Sequence, residues 1–507
     1  MNSIFSAYCD AVLEFHHKTA LICNGRHISY RELGESERAL SASLRKLGVK
    51  KGSVVGVQIT TGNVFAALLF SILRLGAIFV PIGSRLNTET ISQYIDQAGI
   101  EFFIYSDIFD DQLAPIISDS GRHMHWIRSS SQGDMLEKLI SSGDHSFSDI
   151  AQVNAEDPAL YLFTSGTTGA PKVAVHTYQN LWMWVVTAHK NNTFLSSDIN
   201  LTYSPMNHAG GLGQLLLVIC TGATLIMMPT FRVHDVLDTI TRERPTGILL
   251  IPPTHCYCFE DALKTHPVDL SCFRRIETGA TIIPPDAIKC MFKIFPNARI
   301  HVGYGQSECK SITHLNYSKE EYLSRPKLLE SCGTASYACD IRLVDDQFCD
   351  VPLGEPGEAL VKSPVVMKGY LNDPSGFWEG WLTTGDYLKR DDAGYYYFVD
   401  RKRDIIKSGG ELVSSHEVEK VFYGHPAIRD CAVIGIPSKA LGEEVAIVIQ
   451  LEEGASISVE EMMQYGQERL PKYKVPRQVF FVKEFLRTNT GKIIKKALRS
   501  AITAAGL

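Results

Sequence analysis

The sequence predicts an α/β fold: a large N-terminal domain of parallel-rich sheets with flanking helices and a small β unit, then a smaller α+β C-terminal domain. Three observations carry this. Extended apolar runs alternate with helical segments from residue 1 to about 150 and again through the next two hundred, the order that builds parallel sheets with helices on both faces. From about 340 the texture changes to short β-like pieces separated by Gly, Pro and Asp. The charged cluster Asp400-Arg401-Lys402-Arg403-Asp404 then precedes about a hundred residues of compact α+β pattern. The domains expected are 1–402, with a β-rich part over about 340–402, and 403–507.

The elements follow in order. Ser29 with Glu32 three residues on has capping-box spacing and opens a helix that Gly48 ends. Residues 54–59 read as a strand, 63–75 as a helix and 78–82 as the next strand. The apolar run from Val64 to Ile82 is long, but Arg74, Gly76 and Pro81 within it favour a buried helix over a membrane span. Residues 159–163 form a strand, 180–190 a helix, and 201–208 a strand entering a turn at Pro205 with His208 at its end. A βαβ round spans 223–253, and a strand at 299–303 leads into Tyr304-Gly305-Gln306-Ser307-Glu308. Short strands are expected at 341–344, 358–362 and 395–399. Helix 415–424, strands 428–436 and 444–451, helix 458–470 and a basic terminal helix complete the chain.

Composition narrows the class of partner. Over 507 residues, 45% are apolar and 21% charged, with net charge −6, which gives no basic excess for nucleic acid or an anionic membrane. The first ten residues lack the basic and apolar regions of a secretion signal. The twelve cysteines contain no CxxC pair, so zinc and a disulfide framework are disfavoured and a reducing cytoplasm is expected. Oligomeric state is not readable.

The densest chemistry lies at 164–172, where Thr164, Ser165, Gly166, Thr167, Thr168, Gly169 and Lys172 follow directly on the strand at 159–163. Glycines let backbone N–H groups approach an anion, hydroxyls add donors, and lysine adds compact positive charge. A polyphosphate fits such a loop. The spacing is not that of a Walker loop, because Pro171 precedes Lys172 and Val173 follows it. Further turns with polar ends follow strands at His208 and at 304–308, where open α/β sheets place ligands. Gly210, Gly211 and Gly213 either leave room beside His208 or permit close helix packing.

With these motifs in order, the chain resembles the adenylate-forming (ANL) superfamily, on its acyl-CoA synthetase branch of AMP-dependent CoA ligases. The resemblance spans essentially the full length. It rests on the loop 164–172, Pro205-Met-Asn-His208, Gly303-Tyr-Gly-Gln-Ser-Glu308, Trp381-Leu-Thr-Thr-Gly-Asp386, Asp400-Arg401, Lys407-Ser-Gly-Gly-Glu411 and Gly491-Lys492. It implies ATP-dependent activation of an aliphatic or aromatic carboxylic acid to an acyl-adenylate, then transfer to coenzyme A. The alternative is a freestanding adenylation enzyme that loads a carrier-protein phosphopantetheine.

By that resemblance the loop embraces the β- and γ-phosphates, and Glu308 helps hold Mg²⁺. Ser307, where the family more often has Thr, donates to the α-phosphate. Gly279, Ala280, Tyr304 and Gly305 border the nucleotide, with Tyr304 against adenine. Asp386 and Arg401 hold the ribose. Lys492 bridges the attacking carboxylate and the α-phosphate. His208 lies between the acid pocket and the thiol channel, which Gly409 and Gly410 line after a mobile C-terminal domain turns about a hinge at Arg403. Val173-Ala174 replaces the usual Gly-Val. Ala209, Gly210, Gly211, Gly279 and Ala280 include no charged partner for a second carboxylate, which leans toward a monocarboxylic acid.

Overall fold

The computed structural model describes residues 3–60, 62–119, 124–129, 139–140, 143–164, 171–251, 253–279, 281, 283–487 and 493–504. Two compact units divide the chain. The first holds Met1–Ile341 and Val361–Leu382, and the second holds Arg342–Leu360 and Thr383–Leu507.

Two sheets organise the first unit. Among the described residues, one has nine strands, in which Thr19–Cys23, Thr224–Met227, Ile199–Thr202, Gly247–Leu249, Arg275–Gly279 and Arg299–Tyr304 run parallel and antiparallel strands close both edges. The other has seven strands. Its parallel core is Pro158–Thr164, Ile78–Pro81, Val54–Gln58, Phe102–Ser106 and His125–Ser129. Lys172–Thr177 then runs antiparallel beside Pro158–Thr164, and Gly369–Tyr370 beside Lys172–Thr177. One continuous core joins the sheets, with Val55 and Phe79 from one, Leu21 and Leu225 from the other, and the helices Gly62–Arg74 and Ala209–Cys220.

Local sequence explains where helices start. Ser29 accepts from the Glu32 amide while the Glu32 carboxylate accepts from the Ser29 amide, so the expected capping box opens the helix Tyr30–Lys46. The helix expected from 180 begins at Tyr178, because Thr177 and Asn180 form a second reciprocal cap. The strand expected over 201–208 is Ile199–Thr202. Pro205, without an N–H to donate, sits in the turn that follows.

The apolar run beginning at Val64 folds as a core helix, and no helix among the described residues is long and apolar enough to cross a membrane. Its one charge is answered internally. Arg74 donates to both carboxylate oxygens of Glu37, at 2.6 and 2.9 Å, with side chains 6% and 1% exposed.

The β-rich stretch, most of which falls in the second unit, includes Asp340–Val344, Gly357–Lys362, Trp381–Arg390 and Tyr396–Arg401, the last two antiparallel. Trp381–Arg390 has no clear alternation in sequence and was not expected as a strand. The residues beyond it form the expected α+β body. Ile428–Ser438 and Gly442–Leu451 pair antiparallel, Gln478–Phe481 adds a parallel strand, and the helices are Ser415–Phe422, Val459–Gln467 and Lys495–Ala504.

Removing one member of a buried, doubly bonded ion pair strands the other charge. Arg74→Ala is therefore expected to lower the unfolding free energy by about 3–5 kcal/mol, read as a shifted denaturant midpoint with unchanged far-UV signal before the transition.

Candidate active site

The strands on either side of the polar loop pair antiparallel. Thr164 ends its strand directly opposite Lys172, which begins the next. Ser165, Gly166, Thr167, Thr168 and Gly169 lie outside the described residues, as do Ala280 and Lys492. Val173 sits in the strand after the loop, opposite Phe163 and buried beside Tyr161 and Val175. A β-branched residue suits that position.

Lys172 is held by the segment at 370–375. Its ammonium lies 2.8 Å from Asp373 Oδ2, donates to Ser375 Oγ at 2.7 Å, and stands 4.8 Å from the Tyr370 ring centroid. The bond from Lys172, with those from Ser375, holds the Asp373 carboxyl down to about 2. The Tyr370 hydroxyl donates to Glu308 Oε1 at 2.6 Å. Burial, reinforced by the Glu308 charge, raises its pKa far out of the physiological range, so Tyr370 keeps its proton and remains a donor. Sequence reasoning passed over Tyr370, Asp373 and Ser375. They reach the loop because Gly369–Tyr370 pairs with Lys172–Thr177, a contact that leaves no local pattern.

Glu308 lies in a turn, and its backbone carbonyl accepts from Met367 N at 2.7 Å. With Oε1 engaged by Tyr370, Oε2 has no protein partner among the described residues. One carboxylate oxygen left for a hard cation suits Mg²⁺, which takes one or two carboxylates and fills its sphere with phosphate oxygens and water. Glu308 would hold that ion, and the ion would offset phosphate charge.

Around this carboxylate the backbone folds tightly. Gly279 and Gly303 are register partners at the ends of adjacent parallel strands, and a Cβ on Gly279 would fall 2.2 Å from the Gly303 oxygen. A Cβ on Gly305 would fall 1.7 Å from the Lys310 oxygen, because the turn closes with Lys310 N bonded to Gln306 O at 2.7 Å. Tyr304 packs at the edge of the cluster holding Ala174, Cys309 and Met367. The Ser307 carbonyl accepts from His176 Nε2 at 2.9 Å, on a ring that is fully buried with Nδ1 unpartnered.

His208 is the N-cap residue of the helix Ala209–Cys220 and makes no side-chain cap bond. His208 is exposed at the surface, and desolvation by the protein around it lowers its pKa below the ordinary imidazole value. The neighbouring glycines divide by role. A Cβ on Gly211 would strike the Pro205 oxygen at 2.5 Å and one on Gly213 the Lys310 ammonium at 1.9 Å, whereas one on Gly210 would meet nothing within 4 Å. Gly211 and Gly213 are thus packing glycines, and Gly210 borders open space. Lys310, absent from the residues singled out by sequence, enters here.

In the second unit Asp386 and Arg401 are direct cross-strand partners, with Arg401 Nε 3.7 Å from Asp386 Oδ1. Asp386 is buried and Arg401 half-exposed. Asp400 ties the next helix in place, accepting from Ser415 Oγ at 2.6 Å and from the His416 amide at 3.2 Å. Arg403 lies exposed in the following turn, 3.7 Å from Asp404. Gly409 and Gly410, at φ +60° and +90°, make the two-residue connection between Ile406–Ser408 and Glu411–Val413. Positive φ at both positions is the signature of a type I′ hairpin.

In the first unit the lysine after the Gly/Ser/Thr run and the tethered carboxylate have the chemistry to meet a polyphosphate and a cation, and in the second the buried Asp beside an Arg has the chemistry to meet hydroxyl groups. A model of the AMP-binding enzyme family matches residues 10–371, and one of the AMP-binding enzyme C-terminal domain matches residues 417–492. An Amycolatopsis feruloyl-CoA synthase is 30% identical over 496 residues, covering 95% of this chain and 96% of that protein. The indoleacetate–CoA ligase of Aromatoleum aromaticum is 32% identical over 500 residues, covering 96% and 95%. The o-succinylbenzoate CoA synthetase of Bacillus subtilis, solved with its acyl-adenylate, superposes with TM-score 0.85 at 25% identity, covering 98% of each chain. The chain belongs to the AMP-binding enzyme family of adenylate-forming enzymes, on its acyl-CoA synthetase branch.

His176 makes the site's scaffold acid-sensitive. Burial lowers its pKa to about 4, so the folded state binds its proton less readily than the unfolded chain does. Stability from this group is complete above the unfolded value near 6.5 and is lost as pH falls toward 4, by about 3 kcal/mol in all. His176→Gln is expected to flatten that part of the stability–pH curve, measured by thermal unfolding between pH 7 and 4.5.

Proposed function

We propose that this protein is an AMP-forming carboxylate–CoA ligase whose phosphate end is built on Lys172, Tyr370 and Glu308. In the first half-reaction a carboxylate oxygen of the acid attacks the α-phosphorus of ATP, and the bond to the pyrophosphate leaving group breaks. In the second, the thiol sulfur of coenzyme A attacks the acyl carbon, the bond to AMP breaks, and the thiol proton leaves to solvent. Two anions meet in the first step, so fixed positive charge and donors aimed at the phosphates are the principal catalytic need. The observation that carries the reading is the linkage of the loop's exit lysine to a magnesium-type carboxylate through one protonated tyrosine.

Roles follow from chemistry. Thr164 and the loop Ser165, Gly166, Thr167, Thr168, Gly169 take the outer phosphates with Lys172. Glu308 holds Mg²⁺. Tyr304, with Gly279, Ala280 and Gly305, borders adenine, and Ser307 donates to the α-phosphate. Asp386 accepts from the ribose hydroxyls, which its burial beside Arg401 supports. Lys492 neutralises the meeting oxygens. Gly409 and Gly410 face the pantetheine thiol, and His208, kept neutral, stands between acid and thiol. The exposed turn at Arg403 supports a hinge there between half-reactions. The acids in the names of its relatives, ferulate and indoleacetate, favour an aromatic acid. Twelve free cysteines support a cytoplasmic setting.

With magnesium and a matching acid, radiolabelled pyrophosphate is expected to exchange into ATP, and acyl-CoA to form with coenzyme A in preference to a holo-carrier protein. No exchange with any acid would overturn the reading. Lys492→Ala should lose exchange by at least about 100-fold yet keep thioester formation from supplied acyl-AMP. Equal loss of both steps would remove Lys492 from its role.

A further inference from the structure

Lys310 follows Glu308 by two residues, and its side chain lies against the start of the helix Ala209–Cys220. Its ammonium donates to the Ala209 oxygen at 3.2 Å and lies 5.8 Å from the Trp184 ring centroid. It occupies the volume that any side chain at 213 would need, 1.9 Å from an ideal Cβ there. An ammonium carries three donors, and among the described residues this one has a single hydrogen-bond acceptor and no ion-pair partner.

The charges around it are already matched. Asp198 accepts from Arg274 Nε at 2.6 Å and faces Arg275 Nη1 at 3.5 Å. Glu277 lies 2.9 Å from Arg275 Nε and also accepts from Gln214, which in turn accepts from Asn200 at 2.6 Å. Two carboxylates thus face two guanidinium groups, and Lys310 is one positive charge in excess. Glu277, the acid whose field reaches Lys310, is engaged by Arg275 and Gln214 instead and makes no ion pair with the lysine. A partly buried, surplus, donor-rich cation is under-satisfied unless something anionic completes it.

We propose that Lys310 is a specificity-determining residue that binds a second carboxylate on the acid substrate. The inference rests on the ligase reading above, which puts the acid beside His208 and Gly210. The sequence leaned toward a monocarboxylic acid because the glycines and alanines then in view offered no cation, and the fold brings one in from the turn after Glu308. In this arrangement one carboxylate of the acid is activated, while the other satisfies the free donors of Lys310. A substrate with a methyl group in its place leaves the ammonium unpaired, the situation in which polar sites discriminate most strongly.

The test uses the full chain and matched acids, aromatic and aliphatic dicarboxylates of graded length, each paired with the analogue in which methyl replaces the distal carboxylate. Pyrophosphate exchange gives kcat/KM for every acid. Wild type is expected to favour the best dicarboxylate over its methyl partner by at least about 100-fold. Lys310→Met should bring that ratio close to unity with ATP affinity unchanged, and Lys310→Arg should keep the preference. A merely space-filling lysine would leave the ratio unmoved in Lys310→Met. Equal or better use of the methyl-ended acids by wild type overturns the proposal without reference to any variant. Absence of exchange with every acid would instead defeat the ligase reading.

Discussion

A tyrosine between a cation and a carboxylate holds the candidate site together. The Tyr370 ring lies beneath the Lys172 ammonium, and its hydroxyl donates to Glu308. Without it, Lys172 and Glu308 would be separate surface charges on different loops. With it, both are fixed to one segment, whose Asp373 and Ser375 also hold the lysine. Preorganised charge of this kind costs no reorganisation when a highly charged reactant arrives.

The scaffold is arranged so that such segments meet. Parallel strands in both sheets lead into turns, and glycines at 279 and 305 let backbone approach closer than side chains allow. His176 supports the Ser307 carbonyl from beneath. The ring stays neutral, since a charged imidazole at that depth would lack a counter-ion. The same economy of charge governs the deeper polar layer, where Asp198, Arg274, Arg275 and Glu277 neutralise one another.

Much of this was legible in the amino-acid order. The helix start at Ser29, the βαβ rounds and the α+β body beyond 403 follow from capping residues and apolar periodicity, which act over a few positions, whereas the cap at Thr177 was passed over and its helix expected two residues late. The polar motifs were legible as chemistry placed on turns after strands. Tyr370, Asp373, His176 and Lys310 were not. Each acts through a partner from a distant part of the chain, and neither tyrosine after glycine nor lysine after cysteine has a local signature. The strand Trp381–Arg390 was hidden for a related reason, because its alternate residues do not face apolar and polar surroundings in turn.

The fit of Lys310 against Gly213 ties two positions ninety-seven residues apart into one evolutionary unit. A side chain at 213 has nowhere to go while the lysine is present, and shortening the lysine opens a hole that a larger residue at 213 can fill. Divergence toward acids of another polarity is therefore expected to travel through paired exchanges at these two sites, with each single step passing through a crowded or hollow intermediate.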